Sequence, residues 1–255
     1  MDKLTIDSNP WGTPIIQDHT ILIRPAAPAP PSATISISPF LTNADFLAFA
    51  KIEAKAFQMS PFIRVLLPPR PDPKTPRDPA WKDPMEVRAA SLLGQSTNDP
   101  SVRFIKAFLP DTHQMVGWAK WNFYLDPSNP PESNPIAWPP GSNAALGGHF
   151  MKALYKPRNS HMRGKAYFYM HILAVLPKHQ RKGIGKRMLE WGLKQADGLG
   201  VECWIDATAA GLGLYKQYGW EEVNVVTVNL EPYGGNPGEK DVSVQLIRPP
   251  QPLKR

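Results

Sequence analysis

The sequence predicts a mixed α/β (α+β) domain, and three observations carry that prediction. Aromatic and β-branched runs of strand length alternate with segments of helical period. Strands come in adjacent pairs toward both ends of the chain, a hairpin pattern that an all-parallel sheet lacks. The 255 residues are 42% hydrophobic and 20% charged, enough to bury a core without staples and an ordinary globular balance.

The elements follow in order. Residues 1–33 read as an N-terminal extension, because RPAAPAPPS is linker chemistry. A single domain then spans 34–255. ATISI, 34–38, reads as a short strand. Thr42 or Asn43 caps a helix through Phe57, with Phe46, Phe49, Ile52 and Ala56 at helical spacing. Proline density makes 68–84 an irregular insert, and a helix follows near Met85–Leu93. VRFIKAFL and QMVGWAKWNFY, 102–109 and 114–124, pair as a hairpin across Pro110–His113. A second irregular insert covers 126–142. AYFYMHILAVL, 166–176, is a strand. Lys182 to Ala196 is a helix, 201–207 a strand, and 209–218 a short helix stopped by Gly219. EEVNVVTVNL and VSVQLIRP close as strands.

Composition excludes several classes. One cysteine, Cys203, leaves no disulfide framework and no multi-cysteine metal site. His19, His113, His149, His161 and His179 lack metal-ligand spacing, so no metal is expected. The N-terminus shows no basic region followed by an apolar one, and no apolar run approaches the ~20 residues of a membrane span. A cytoplasmic protein is the expectation. Proline is unusual at 30 residues, 23 of them within 1–142 and none between Lys178 and Glu231. Charge is unusual too. The net +7 is concentrated where Ser133 to Leu189 holds ten Lys or Arg and no Asp or Glu. Such a window attracts a nucleic acid, a lipid surface or a phosphorylated small molecule.

The chemistry sits in HILAVLPKHQRKGIGKRMLEWGL, 171–193. A strand ends at Pro177, and a basic, glycine-containing turn opens a helix. Helix N-termini offer unpaired N–H groups, and Gly183 and Gly185 let a ligand approach the backbone. A P-loop is excluded, because Gln180 stands at its first glycine and Arg187 at its Ser/Thr. A dinucleotide fingerprint is excluded, because Met188 stands at its third glycine. Gln180-Arg181-Lys182-Gly183-Ile184-Gly185 remains, a Q-x-x-G-x-G turn after a strand.

This turn resembles the acetyl-CoA-binding motif of the GCN5-related N-acetyltransferases (GNAT). WIDATAAGLGLYKQYGWEEV, 204–223, resembles that family's following strand, helix and strand, with Tyr215, Gly219 and Trp220 in its Tyr-x-x-x-Gly-aromatic ending. The resemblance is good over 166–230, plausible over 34–57 and 101–124, and poor over 1–33, 68–84 and 126–150. It implies a mostly antiparallel central sheet flanked by helices, here with proline-rich insertions.

It also implies roles. Leu173, Ala174 and Val175 would pair with the pantetheine arm. The turn from Gln180 through Arg181, Lys182, Gly183, Ile184, Gly185 and Lys186 would hold the pyrophosphate, with Lys178 among the basic groups near the 3′-phosphate. Acetyl-CoA would be the cosubstrate. Tyr215 sits where the family keeps an acid for the leaving thiolate. Some members carry a carboxylate base where this chain has Tyr169, and arylalkylamine acetyltransferases carry histidine at the place of His171. Alternation places Tyr167, Tyr169, His171 and Leu173 on one strand face, and an imidazole titrates near neutrality. His171 is therefore the expected base, with Glu53 in reserve. Cys203 reads as a structural thiol. The expected acceptor is a primary amine on a small hydrophobic or aromatic molecule, from the abundance of Trp118, Trp121, Phe123, Tyr124 and Trp138. The alternatives are a peptide amine or a silent CoA-binding regulatory protein. Neither nucleic acid nor membrane is the expected partner.

Overall fold

The computed structural model describes residues 35–39, 41–67, 82–128 and 138–252. The extension 1–33 and most of the two proline-rich inserts lie outside the described residues. Seven strands make one sheet: β1 (Ser36–Ser38), β2 (Val102–Phe108), β3 (Met115–Tyr124), β4 (Tyr167–Val175), β5 (Glu202–Ala207), β6 (Glu221–Asn229) and β7 (Lys240–Arg248). Their spatial order is β1-β2-β3-β4-β5-β7-β6. Every neighbouring pair is antiparallel except β4 with β5.

Helices cover both faces. On one side, α1 (Asn43–Ala56) and α3 (Pro84–Asn98) pack over β2, β3 and β4 through Phe46, Phe49, Leu92, Phe104, Trp118 and Ala174. Thr42 and Asp45 form a capping box that starts α1, with the Thr42 amide donating to Asp45 at 2.7 Å. On the other side, α5 (Ile184–Leu199) buries Ile184, Met188, Leu189, Leu193 and Ala196 against Trp121, Phe168 and Met170. A side chain at Gly192 would collide with the Trp121 ring, so glycine there lets helix and sheet close. α6 (Ala209–Lys216) extends the same core with Tyr215.

Two helices escape the sequence reading. α2 (Pro61–Leu66) starts where the Ile63 amide donates to the Ser60 hydroxyl at 3.3 Å and Pro61 takes the first helical position. That Ser-Pro pair was a legible start signal. α4 (Ala144–His161) was harder, since Gly147, Gly148 and Pro157 lower its propensity. Tertiary contacts hold it: Gly147 lies against the Trp138 ring, and Leu146 and Leu154 join Phe62, Leu66, Val226 and Val228 in a third apolar cluster. α3 also starts at Pro84, at the edge of the expected insert, and runs beyond Leu93 to Asn98; Asp83 caps it by accepting from the Met85 amide at 2.8 Å.

The register of β4 positions the site. Met170 faces Trp121 and Ile172 faces Lys120, so His171 is an extra residue at a β-bulge. The bulge resets the alternation. Tyr167 and Tyr169 pack with Trp204 on one face, and Leu173 packs with the α5 core on the other. The expectation of one face for Tyr167, Tyr169, His171 and Leu173 is thus corrected: an inserted residue inverts the parity of everything after it. The parallel ladder to β5 also stops at the bulge. It joins Tyr167–Met170 to Glu202–Ile205 and goes no further.

Candidate active site

Beyond Met170 the two central strands part, and Leu173, Ala174 and Val175 have no strand partner on the β5 side. The gap meets the start of α5. Gly183 is the helix cap in the left-handed region, at φ +77°, and offers no side chain to the first-turn amides. Arg181 also takes a positive φ, +61°, so the basic turn is tightly wound. Lys178, Arg181, Lys182 and Lys186 are exposed. Gln180 lies across this junction, its side-chain amide donating to the Val175 carbonyl at 3.0 Å. A Cβ built on Gly185 would lie 3.6 Å from Leu214 and 3.7 Å from Leu173. The fold therefore gathers β4, the first turn of α5 and α6 around one spot. This is a free strand edge beside amide donors and cations, a combination suited to an amide-containing arm ending in phosphates.

Tyr215 lies on the α5 side of the sheet, 6% exposed and edge-on to Trp220 with ring centroids 6.0 Å apart. Its hydroxyl has no hydrogen-bond partner among the described residues, and burial pushes its pKa up, so it stays a proton donor at physiological pH.

His171 lies on the opposite side. Its Nδ1 is 3.1 Å from Lys120 Nζ and its ring is 5.0 Å from that of Tyr169. Burial and then the Lys120 charge hold its pKa well below the usual histidine range, with Arg158 and Arg88 adding to the effect. The expected titration near neutrality is corrected accordingly: this imidazole is neutral at pH 7. Glu53 is bound at both oxygens by Arg88, at 3.0 and 3.1 Å. Tyr169 donates to Asp206 at 2.8 Å, and burial raises its pKa well above the usual phenol value. Cys203 is fully buried, its thiol pushed up by burial to about 12. That suits a packing role. His171 and Tyr215 thus lie on opposite sides of the sheet near the gap between β4 and β5.

The sequence reading missed a buried polar layer around His171. Lys120, 3% exposed, donates to Gln95 Oε1 of α3. Asp206 accepts from Tyr169, from Trp204 at 3.2 Å and from Gln245 at 2.7 Å, and lies 3.9 Å from Arg158. The Arg158 guanidinium sits over the rings of Tyr155 and Tyr169 at 4.6 and 4.2 Å. A lysine in the middle of the buried strand MVGWAKWNFY was the available signal. The aromatic surplus, by contrast, is core. Trp118 and Trp121 are fully buried on opposite faces, and Phe123 stacks on Phe168. Two surface concavities, one including Tyr124 and Tyr167 and one including His161 and Trp204, contain none of the expected site residues.

Among the described residues no helix is long and apolar enough to cross a membrane. Residues 152–222 match the family described as an acetyltransferase (GNAT) domain. No curated protein matches. Among solved structures, a histone acetyltransferase HPA2 and related acetyltransferase from Corynebacterium glutamicum is 17% identical, with a TM-score of 0.51 over 86% of this chain and 99% of that one. The ribosomal-protein-S18-alanine N-acetyltransferase of Escherichia coli is 15% identical, with a TM-score of 0.47 over 87% and 97%. The PaiA N-acetyltransferase of Thermoplasma acidophilum, in complex with coenzyme A, is 12% identical, with a TM-score of 0.45 over 85% and 99%. The first likeness supports the fold, and the family match covers β4, α5, β5 and α6, the elements around the gap. The chain belongs to the GCN5-related N-acetyltransferases, acyltransferases that use acetyl-CoA as cosubstrate.

Proposed function

We propose that the chain transfers the acetyl group of acetyl-CoA directly to the primary amine of a small molecule, in a ternary complex without an acyl-enzyme. One observation carries the reading: β4 leaves β5 at the bulge, and the freed edge runs straight into the glycine-started, basic turn of α5. Leu173, Ala174 and Val175 hold the pantetheine amides, the amides of Arg181–Lys186 hold the pyrophosphate, and Lys178, Arg181, Lys182 and Lys186 supply the charge. His171 takes the amine proton, and Tyr215 protonates the leaving thiolate. Glu53, held at both oxygens by Arg88, positions its neighbours. Cys203 is no nucleophile. The catalytic domain is 34–255, preceded by the extension 1–33.

An apolar or aromatic acceptor is supported by less than the aromatic count implied. The partly exposed Phe57, Tyr124, Trp138 and Ile172 and the exposed Met59 are what remains after the core is removed. The test is release of free thiol from acetyl-CoA against a panel of aromatic, aliphatic and peptide amines. Turnover favouring aromatic or aliphatic amines supports the proposal. A preference for peptide N-termini replaces the small acceptor with a peptide. CoA binding without turnover against any amine leaves a regulatory CoA-binding protein.

A further inference from the structure

We propose that Lys120 is a positioning residue for this reaction: uncharged, it accepts the Nδ1 proton of His171, so that Nε2 faces the acceptor amine as a base. The inference rests on the proposed role of His171 and extends it.

The geometry makes the charge on Lys120 decisive. Nζ donates to Gln95 Oε1 and lies 3.1 Å from His171 Nδ1. Gln95 in turn donates its amide to Ser91 at 3.2 Å, which turns its oxygen toward Lys120. An ammonium has three donors and no lone pair, so Lys120 as a cation forces Nδ1 to accept. The neutral imidazole must then carry its proton on Nε2, which can no longer take one. A neutral amine reverses the pairing. It still donates to Gln95, accepts from Nδ1–H, and leaves the Nε2 lone pair free. No hydrogen bond of Nε2 is found among the described residues, and the ring keeps part of its surface open.

The environment favours the neutral amine. Lys120 is 3% exposed, and no carboxylate lies within 4 Å of it among the described residues. Arg88 of α3 and Arg158 of α4 oppose its charge. Glu53 of α1 and Asp99 after α3 offset them in part, Glu53 being already committed to Arg88. His171 and Tyr169 face it from β4. Burial, with Arg88 next, brings the lysine down to about 7, so both states are within reach of physiological pH. His171 alone is a poor resting place for a proton, since the same surroundings hold it well below its ordinary value.

The step balances. A neutral acceptor amine forms the C–N bond to the acetyl carbon. One of its N–H protons passes to His171 Nε2 as the Nδ1 proton passes to Lys120, which becomes an ammonium. The C–S bond breaks, its electron pair stays on sulfur, and the Tyr215 hydroxyl protonates the thiolate. Lys120 then returns its proton through solvent to the Tyr215 phenolate.

The closing experiment follows Lys120 and His171 in the whole protein by 15N and 13C NMR across pH 5.5–9, with CoA bound, assigned with Lys120→Met and His171→Gln. The expected result is a Lys120 transition near neutrality and a His171 switch from Nε2–H to Nδ1–H over the same range, with no switch in Lys120→Met. A Lys120 that stays charged to pH 9, or a His171 tautomer that ignores Lys120→Met, overturns the proposal. With an amine that turns over, Lys120→Met should lose the acidic limb of kcat near neutrality and lower kcat about 10²-fold. Lys120→Arg, permanently charged, should be at least as slow, with KM for acetyl-CoA unchanged. Wild-type kcat and pH profile in both folded variants also overturn it. The NMR switch needs no turnover, so its presence in a protein inactive toward every amine would count against acetyl transfer and leave the Lys120–His171 pairing intact.

Discussion

Tyr169 and Leu173 are four residues apart on one strand, yet they pack on opposite faces of the sheet. His171 is the extra residue between them. The bulge does three things together. It frees the strand edge from Leu173 to Val175, turns Leu173 toward Gly185, and sets the imidazole against Lys120. Deleting His171 should restore plain alternation and turn every later β4 side chain to the wrong face. The expected outcome is loss of the native fold, read as loss of a cooperative thermal transition. His171→Ala keeps the residue count and should fold.

Gly185→Glu tests the cradle. A Cβ at this position meets only ordinary contacts, 3.6 and 3.7 Å away, so the variant should fold. The added carboxylate then faces the phosphates at the first turn of α5. Calorimetry should show CoA affinity reduced at least 10²-fold with Tm nearly unchanged. Unchanged affinity in the folded variant would move the site elsewhere.

Tyr215→Phe should lower kcat about 10²-fold and leave KM for acetyl-CoA nearly unchanged. The hydroxyl has no partner among the described residues, so its removal breaks no known hydrogen bond and Tm should hold. A large fall in Tm would mark the tyrosine as structural. Cys203→Ala should keep turnover, because a buried thiol held near 12 supplies no thiolate at pH 7.

Asp206 is the nearest carboxylate to the buried Arg158. Asp206→Asn removes that charge and leaves the guanidinium, whose Nε and Nη1 already lack hydrogen-bond partners, without compensation. The expected cost is about 3 kcal/mol. At ~2–4 °C per kcal/mol for a domain of this size, Tm should fall by about 6–12 °C. A change below ~2 °C would show that the tyrosine rings alone hold the cation.

The fold was legible because its signals are local. The strands from β2 to β7 announce themselves by β-branched and aromatic runs, and α5 by its apolar face between Ile184 and Ala196. The glycine turn before α5 was legible for the same reason. What stayed hidden depends on distant partners. α4 exists because Gly147 seats Trp138 and because Leu154 meets Val226, and neither contact shows in the helix's own sequence. The bulge at His171 is fixed by register with β3, which one strand alone does not encode. The polar layer was hidden because Lys120, Gln95 and Arg88 look like ordinary surface residues until α3 folds over β3.

Lys120 gives the last prediction, one of stability. Its pKa is lowered from 10.5 to about 7 on folding, so between those pH values the unfolded chain binds more protons than the folded one. Stability must then rise with pH across this window, and the charge penalty is complete at and below about pH 7. Lys120→Met removes that proton linkage. The absolute gain at pH 7 combines opposing effects. Removing a buried cation favours the variant by about 1–4 kcal/mol. Leaving Gln95 Oε1 and His171 Nδ1 without their partner costs about 1–3 kcal/mol. The slope is therefore the cleaner measurement. Urea unfolding at pH 7, 8 and 9 should show the wild type gaining on Lys120→Met at each step, with the difference flattening below pH 7. Parallel profiles for the two proteins would mean that Lys120 is charged in the folded state throughout.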